Sequence, residues 1–565
     1  MSNKKRHFII LVLLLPLLIG MDYGNTLNPI KVGLIKSVIN NLLHSAVVSL
    51  DSGQDINLAL NSNRKVILGP GIWDLASLGV IIPSSGAVPY NNLTIQGAGI
   101  GVTILQYKPG AVPCSGVIAN TGAIQLLTGT TGCGANPTAN QTNITLKNFT
   151  LDLDNYTQGI FADWNADDYS ISDLTIENVE ILNGAAGIYL YNAQNSYVVH
   201  NPITMSWGIE AAAYTHRYAI ITGEATADDD TVYNNTISDN ILNLTNLAGS
   251  AAQLHGIGID HADDTKITEN TINYTPGPRQ VSTGIAFNDN NPNPDTITGT
   301  AGFSAWAGKK ITVTGAANAG NNNTFTVVSE AAGTLTLNAG DTLTTEAAGP
   351  SITISSTVGH LIRIMSAGGA DLSTGTVVAN NTLRNGPTVG IYVGPGQSTT
   401  VTSNSIIEVV EGIVVRDFAL DTTISNNTYY SNTAGEDFIH LAGADIVNIV
   451  GNLSQVLGGQ NHITFMDDDE NDATDYDNDD IHIVGNIMRG GAYGVWVSDS
   501  LDTTIVHDRV DIKNNKLTGV SDLVNVMTAA ETTYWWVTGN SYPGPNECIN
   551  LGAGSVCSGN YDNVP

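Results

Sequence analysis

The residues with the clearest chemical potential lie at 256–274, in the stretch GIGIDHADDTKITENTINY. Asp260, His261, Asp263 and Asp264 follow a short segment with apolar residues two apart, which is typical of a β-strand. Glycoside hydrolysis requires one carboxyl group that holds a proton and a second that stays ionised. Clustered carboxylates can supply both, so these four residues are predicted to be catalytic.

A second acidic cluster, ADWNADD at 162–168, places Asp163 at the end of an earlier strand of the same kind. If both strands belong to stacked repeats, successive coils lie ~4.8 Å apart. The intervening coils then put the two clusters ~10–20 Å apart, too far to act on one bond. The Asp260 cluster is favoured because it also supplies an imidazole. Asp163 is the alternative catalytic residue.

The whole chain is strongly acidic, with 21 Lys plus Arg against 52 Asp plus Glu and a formal net charge of −31. Such a field repels polyphosphates, so nucleic acid is not expected as a partner. A polyuronate substrate is also disfavoured unless calcium or a local basic patch intervenes. No cofactor is predicted to be required. The acidic run at 466–480 is expected to be a solvated loop. The alternative is a weak calcium site in which Asp467, Asp468 and Asp469 are the ligands.

The N-terminal residues and the cysteines predict export. In residues 1–22 a basic segment precedes an apolar stretch too short for a comfortable membrane span, as in a secretory signal peptide. The four cysteines form two local pairs, so the simplest disulfides join Cys114 to Cys133 and Cys548 to Cys557. We therefore expect a secreted or cell-surface protein with no membrane span after signal removal.

Two short segments recur along most of the chain and predict its architecture. One is a Gly-Ile strand, found as GIFAD, GIYLY, GIGID, GIAFN, GIYVG, GIVVR and GVWVS, and the other is an Asn-turn strand such as ITENTI, VANNTL or ISNNTY. The two alternate, and each repeat is too short to bury a core alone. Successive repeats must therefore stack as a parallel β-solenoid, with ladders of Asn side chains at the turns.

These repeats resemble those of right-handed parallel β-helix proteins with the pectin-lyase-like fold. LTIQGAGIGVTILQY at 93–107 is similar to their first coils, and KVILGPGIWDL at 65–75 to the segment that precedes them. The resemblance covers about residues 55–545 and implies an all-β fold with catalytic carboxylates at the ends of exposed strands. It leaves the activity open, because the fold hosts lyases, hydrolases, epimerases, tailspikes and adhesins.

The remaining segments cap or interrupt the β-helix. Apolar residues at helical spacing predict a capping helix at 30–50. From 295 to 355 hairpin-like strands replace the repeats, so the β-helix is expected at 55–294 and 356–545, around a small antiparallel β domain inserted at a coil corner. Residues 546–565 are the expected disulfide-linked tail.

Alternation along the Gly-Ile strands predicts which side chains face outward. With Gly counted as position zero, positions one and three are apolar and point inward, while positions two and four point out. Aromatic rings beside carboxylates suit a sugar-binding groove, because rings stack on pyranose faces and acids bind hydroxyl groups. The predicted substrate-binding residues are Phe161, Tyr189, Tyr191, Asn288, Tyr392, Arg416 and Trp496.

Four functions remain open for this groove. The favoured one is a glycoside hydrolase that acts on a polysaccharide or cell-surface glycan with Asp260 at its centre. A non-catalytic carbohydrate-binding or adhesive protein is an alternative, and a structural spacer is another. A polysaccharide lyase ranks below the hydrolase because the chain has few basic residues, although His216, Arg217 and Arg416 are available.

Overall fold

The computed structural model describes residues 46–560 apart from internal gaps. The gaps are 61, 63, 76–78, 84–89, 108–121, 129–138, 154–157, 163–168, 185, 207–215, 224–231, 246–252, 276–278, 292, 300–309, 332, 339, 350, 357–358, 366–372, 387, 433–436, 457–460, 466–477, 498–506, 527–531 and 543–545. The described elements are β-strands apart from two 3-10 turns, Asn57–Ala59 and Ala319–Asn321. Within this part of the chain no helix is long and apolar enough to cross a membrane.

Three parallel ladders of strands form the main body, because each coil of the chain contributes a strand to each ladder. We call the first ladder the Gly-Ile sheet. Its strands are Val80–Pro83, Gly122–Thr128, Gln158–Ala162, Ala186–Tyr191, His216–Gly223, Gln253–Asp260, Ile362–Met365, Val389–Val393, Glu411–Ser425, Ile439–Val450, Asn461–Phe465, Tyr493–Val497, Asp522–Val526 and Asn546–Ile549.

The second and third sheets complete each coil. The second sheet contains Arg64–Leu68, Leu93–Gln96, Ile144–Leu153, Thr175–Leu182, Tyr197–Val199, Thr236–Ser238, Lys266–Thr268, Val377–Ala379, Thr400–Thr402, Asp479–Val484, Asp511–Lys513, Trp536–Thr538 and Val556–Ser558. The third contains Gly71–Asp74, Thr103–Tyr107, Pro202–Ser206, Ile241–Thr245, Thr271–Thr275, Thr382–Arg384, Ser405–Ile407, Thr428–Ser431, Leu453–Val456, Ile487–Arg489 and Lys516–Thr518.

Several strands lie at the corners of the coils. Four long strands bend through a corner and contribute to two sheets: Ile144–Leu153, Thr175–Leu182, Glu411–Ser425 and Ile439–Val450. Short strands pair along the corner between the Gly-Ile sheet and the second sheet: Gln141–Thr142, Ile171–Ser172, Ala193–Gln194, Ser373–Thr374, Gly396–Gln397, His507–Asp508 and Thr532–Thr533.

Stacking in register keeps each apolar side chain on its own row. Position one of the Gly-Ile strands pairs from coil to coil as Ile124, Ile160, Ile188, Ile220, Ile257, Ile362, Ile391, Ile413, Ile439, Ile463, Val495 and Val524. All of these side chains are buried in the main core, where apolar burial is the dominant favourable term. The predicted all-β parallel solenoid with stacked Gly-Ile strands is confirmed.

An Asn ladder lies at the corner between the second and third sheets. Each Nδ2 group donates to Oδ1 of the Asn on the next coil at 2.9–3.1 Å, and each also donates to a backbone carbonyl. The residue before most ladder members has a positive φ, as Asn380 and Gly451 do, and Asn and Gly adopt that conformation readily. The ladder runs through Asn201, Asn240, Asn270, Asn381, Asn404, Asn427, Asn452, Asn486, Asn515, Asn540 and Asn560.

The inserted domain begins earlier than the sequence pattern predicts. Its antiparallel strands are Arg279–Ser282, Ala286–Asn288, Thr296–Thr298, Lys310–Thr314, Thr324–Ala331, Thr334–Leu337 and Ile352–Ser356, and they enclose a separate apolar core. The Gly-Ile strand at 284–288 therefore belongs to this domain, and the coil continues from Thr271–Thr275 to Ile362–Met365. Assigning it to the β-helix is wrong, because a short apolar alternation does not specify its pairing partner.

The N-terminal prediction is tested only at residues 46–50. These residues form the strand Ala46–Leu50, where the backbone carbonyl of Leu50 accepts a hydrogen bond from Gly69 N at 3.0 Å. The end of the predicted capping helix is thus extended, in keeping with the β-branched Val47 and Val48. The rest of that helix, and the predicted signal peptide, lie outside the described residues.

One of the two predicted disulfides is observed. Cys548 is bonded to Cys557. Cys548 pairs with Val524 on the Gly-Ile sheet, and Cys557 pairs with Val537 on the second sheet. The bond therefore joins the C-terminal ends of two sheets. Cys114 and Cys133 lie outside the described residues.

Replacing a central ladder residue should destabilise the protein. In Asn404→Ala, the backbone N and Nδ2 of Asn381 lose their common acceptor. Buried donors without partners cost roughly 1–3 kcal/mol of unfolding free energy. Denaturant unfolding should show this loss. Asn273→Ala is the matched control, since its Nδ2 bonds Asn243 on the half-buried outer side of the third sheet. Equal losses in both variants would contradict the structural role of the ladder.

Candidate functional site

A continuous series of rings covers the outer face of the Gly-Ile sheet over five consecutive coils. The ring centroids of Tyr189 and Tyr218 are 6.3 Å apart, and the Tyr218 and His255 rings stack at 4.6 Å with 19° between their planes. His360 lies 5.1 Å from His255 and stacks on Tyr392 at 4.8 Å. Tyr189, Tyr218 and His255 are buried, so the accessible part of this series consists of the half-buried rings of His360 and Tyr392.

An irregularity at position zero creates this surface. The registers pair Gln158 with Ala186 and Ile160 with Ile188, but include no pair at position zero between them. On other coils position zero holds the fully buried Leu361 and Leu523. Positions zero and one therefore both face the core, and the residue before position zero turns outward, as happens at a β-bulge. Tyr218, His255 and His360 occupy that outward row.

Tyr218 and Arg363 form the centre of the site. Arg363 Nη1 donates a hydrogen bond to the Tyr218 hydroxyl at 2.8 Å. The Tyr218 ring lies across Gly258, where a Cβ atom would come within 2.4 Å of Tyr218 Cε1, so only glycine permits this approach. Burial raises the pKa of Tyr218; Arg363 opposes this effect, and the charge of Asp260 adds to it. Tyr218 therefore carries its proton at neutral pH.

Two further groups complete this centre. His261 Nδ1 lies 3.0 Å from Asp260 Oδ1, and the His261 side chain is buried while that of Asp260 is partly exposed. A carboxylate in this position orients an imidazole. On the neighbouring strand, Arg363 Nε is buried without a hydrogen-bond partner among the described residues. The centre thus combines a phenol, a guanidinium and a carboxylate–imidazole pair.

His255 has a more restricted role. The backbone N–H of His360 donates to His255 Nδ1 at 2.9 Å. Nδ1 is therefore an acceptor, which places the proton of the neutral ring on Nε2. His255 is fully buried between the rings of Tyr218 and His360. It fixes the positions of its neighbours.

The structure divides the predicted catalytic cluster. Asp260 and His261 lie together at the end of their strand, as predicted. Asp263 Oδ1 instead accepts hydrogen bonds from Thr374 N at 2.8 Å and Thr374 Oγ1 at 2.6 Å, and so ties one coil to the next. Asp264 is exposed at the corner, with a φ of 48°. The separation arises because the chain turns the corner immediately after His261. Asp163 lies outside the described residues.

The predicted substrate-binding residues also separate into groups. Phe161 and Tyr189 are on the outer face but buried in a small apolar cluster with Tyr218 and Ile221, and the Tyr189 hydroxyl accepts a hydrogen bond from Tyr218 N at 2.9 Å. They support Tyr218 and do not present an open stacking surface. Of the predicted substrate-binding residues, four are half-buried on this face: Tyr191, Tyr392, Arg416 and Trp496.

Asn288 is not part of this face. It lies in the inserted domain, and its Nδ2 is 3.4 Å from oxygen atoms of Thr296 and Thr298. The prediction for Asn288 is wrong for the same reason as that for its strand. The calcium hypothesis is untested, because Asp467, Asp468 and Asp469 lie outside the described residues. Among the residues that are described, no group of three or more His, Cys, Asp or Glu side chains could hold a metal ion.

Sequence reasoning missed Tyr218, His255, His360 and Arg363. Tyr218 lies in YAIIT, and His360 and Arg363 lie in HLIRIM, where Ala or Leu replaces the Gly of the repeat. His255 directly precedes Gly256, the Gly of its own repeat. The spacing carried a signal, since the Gly-Ile strands at 187 and 256 are separated by about two repeat lengths. The irregularity at position zero left no signal, because strict alternation places the residue before it inside.

The comparisons with known proteins agree with the strand pattern. Residues 134–326 match the model of the right handed beta helix region. The fold is a right-handed parallel β-helix. No curated protein matches the chain.

Several solved structures are similar over most of the chain. The A-module of the mannuronan C-5 epimerase AlgE6 of Azotobacter vinelandii is 15% identical, with 87% of this chain and 90% of that chain covered and a TM-score of 0.35. The catalytic domain of a GH87 alpha-1,3-glucanase in complex with nigerose is 11% identical, with 88% and 69% covered and a TM-score of 0.41. The PL6 family polysaccharide lyase Pedsa3628 of Pseudopedobacter saltans is 11% identical, with 92% and 93% covered and a TM-score of 0.40.

The raised pKa of Tyr218 gives a spectroscopic prediction. The difference between ultraviolet titrations of the wild type and Tyr218→Phe should show one tyrosine that ionises above the ordinary value of 10.0. In Arg363→Gln this ionisation should move higher, because the opposing positive charge is lost. Stability should also fall as pH rises between the unfolded and folded pKa values, since only the folded state retains the proton. Ionisation at or below the ordinary value would contradict the proposed environment.

Proposed function

We propose that the protein is a polysaccharide lyase that acts on uronate units at the outer face of the Gly-Ile sheet. The observation that carries the proposal is the hydrogen bond from Arg363 to the buried Tyr218 hydroxyl, beside Asp260 and His261. This set provides a cation for the uronate, a proton donor and a base. The half-buried rings of His360 and Tyr392 beside it provide a contact surface for a sugar chain.

A local basic patch supports a uronate substrate in spite of the acidic chain. Arg363 and Arg416 lie on the outer face of the Gly-Ile sheet and are half-buried, whereas Arg217 is buried in register with the core residue Leu254. A guanidinium group matches a carboxylate in charge and geometry, and Arg363 Nε has no hydrogen-bond partner among the described residues. The formal net charge of −31 acts against polyanions over most of the surface, whereas these two guanidinium groups attract a carboxylate locally.

The reaction is a β-elimination. Arg363 binds the uronate carboxylate and stabilises the negative charge that develops when a proton leaves C5. The Asp260–His261 pair removes this proton, and its electrons form the C4–C5 double bond. The bond between C4 and the glycosidic oxygen breaks, and the protonated Tyr218 hydroxyl gives its proton to the departing oxygen. All these groups belong to one sheet and approach the sugar from one side, which suits removal and delivery of protons on the same face.

Glycoside hydrolysis, the class favoured by the sequence, has weaker geometric support. It requires two carboxyl groups that flank one bond. Asp260 supplies one, whereas Asp263 is occupied with Thr374 and Asp264 is exposed at the corner. Hydrolysis at this face stays a prediction, and it would give new reducing ends without an unsaturated sugar. A secreted or cell-surface location, the glycan partner and optional calcium at 466–480 belong to the same proposal.

Single substitutions at the centre test the mechanism. Tyr218→Phe, Arg363→Gln and Asp260→Asn should each lower turnover of a cleaved polyuronate by roughly 10²- to 10⁴-fold, the usual loss when acid–base or charge stabilisation is removed. The assay compares the ultraviolet absorbance of unsaturated products with the number of reducing ends on galacturonate, mannuronate, guluronate and glucuronate polymers.

Two matched variants serve as controls. Tyr430→Phe removes a hydroxyl that bonds Asn432 on the third sheet, and Asp264→Asn removes an exposed carboxylate at the corner. Both should keep full activity. The lyase proposal fails if Tyr218→Phe and Arg363→Gln are as active as these controls, or if wild-type cleavage gives reducing ends alone.

A further inference from the structure

The outer face of the Gly-Ile sheet changes character after Tyr392. In the outward row before position zero, Glu411, Asp437, Asn461 and Tyr493 follow one another on consecutive coils. In the outward row at position two, His440, Thr464 and Trp496 pair in register. The first half therefore carries Arg363 and the series of rings, and the second half is rich in carboxylate and amide oxygens, with Arg416 at position four of the strand that begins at Glu411.

Asp437 is held firmly within the second half. Its Oδ1 accepts a hydrogen bond from Asn461 N at 2.8 Å, and its Oδ2 accepts one from Thr464 Oγ1. Burial raises the pKa of Asp437, which Thr464, Asn461 and His440 oppose and the neighbouring Glu411 reinforces. His440 Nδ1 lies 3.8 Å from Glu411 Oε1. These contacts fix Asp437 in place and leave Glu411 partly exposed beside it.

Asn461 has an acceptor atom that no donor of the described residues reaches. Asn461 is only 6% exposed, and its Nδ2 donates to Thr464 Oγ1 at 3.3 Å. Its Oδ1 is buried with no partner among the described residues. A buried amide oxygen normally has a donor, so this atom is an acceptor for a ligand hydroxyl group.

An aromatic platform stands on the next coil. The rings of Tyr493 and Trp496 are 6.3 Å apart with 26° between their planes, and both side chains are half-buried. Nearly parallel rings that remain partly open suit the apolar face of a pyranose. Together with Asn461 and Asp437, this platform offers hydroxyl acceptors and a stacking surface within three consecutive coils.

We infer that this second half is a subsite for an uncharged, hydroxyl-rich sugar. Glu411 and Asp437 accept hydrogen bonds from hydroxyl groups and repel the carboxylate of a uronate. Glu411 lies two coils and Asp437 three coils beyond Arg363, a distance of ~10–14 Å at the spacing of adjacent strands. This inference rests on the proposed function and extends it. The substrate is a heteropolysaccharide in which neutral sugars lie a few units from the uronate that is cleaved.

Direct binding measurements test the subsite independently of cleavage. Cellohexaose, xylohexaose and mannohexaose are titrated into the wild type by calorimetry and tryptophan fluorescence. At least one should bind, and Trp496→Ala should weaken its binding about tenfold, as expected from loss of a stacking ring. Trp536→Ala is the matched control, because Trp536 is a partly exposed ring on the second sheet. Arg363→Gln should leave neutral-sugar binding unchanged.

Cleavage of two polymers gives a second readout. Gellan combines glucuronate with neutral hexoses, whereas polyglucuronate has a uronate at every unit. Trp496→Ala and Asn461→Ala should lower the ratio of gellan turnover to polyglucuronate turnover, while Trp536→Ala should not. Circular dichroism confirms that each variant is folded.

The outcomes separate this inference from the proposed function. The subsite is contradicted if no neutral hexasaccharide binds, if Trp496→Ala binds as well as the wild type, or if Arg363→Gln abolishes the binding. If the protein has no lyase activity but neutral sugars still bind through Trp496, the proposed function is wrong and the subsite is supported. If reducing ends appear without unsaturated sugars and Asp437→Asn abolishes them, the carboxylates are catalytic and the binding role is wrong.

Discussion

The hydrogen-bonded Asn ladder is the constraint on which the rest of the structure depends. From Asn201 to Asn540 each Nδ2 donates to the Asn of the next coil, so one corner of every coil in this range is held at a fixed position. The buried Ile row opposite then stacks in register, because a slip by one residue would expose every apolar side chain. Fixed register is what allows side chains from distant parts of the sequence to form straight rows.

The functional face follows from that register and from one local irregularity. Position zero turns toward the core in each coil, and the residue before it is thereby added to the outer face. Gly258 lets the Tyr218 ring cross its strand and reach Arg363, 145 residues further along the chain. The inserted domain accounts for much of this separation, since it enters between two coils and leaves their stacking intact. The same rows carry Arg363 on one half of the face and Glu411 and Asp437 on the other.

Sequence could predict the solenoid, the Asn ladder, the Cys548–Cys557 bond and the outward end of the strand at Asp260. These depend on local patterns that repeat in every coil. It could not separate Asp263 from Asp260, because the corner between them is a three-dimensional feature. It could not find Tyr218 or Arg363 either, since their coils lack the glycine of the repeat and Tyr218 faces outward against the simple alternation. It could not predict the burial of Phe161 and Tyr189, because this depends on packing against Tyr218 and Ile221 of another coil.

The central claim is that a uronate binds at Arg363 on the outer face of the Gly-Ile sheet. The most direct test is a crystal structure of the Tyr218→Phe variant with a uronate oligosaccharide that the wild type cleaves. The account predicts a sugar carboxylate within hydrogen-bond distance of the Arg363 guanidinium group, with the chain lying over His360 and Tyr392. An oligosaccharide bound on the second or third sheet, or one whose carboxylates avoid Arg363, would contradict the account.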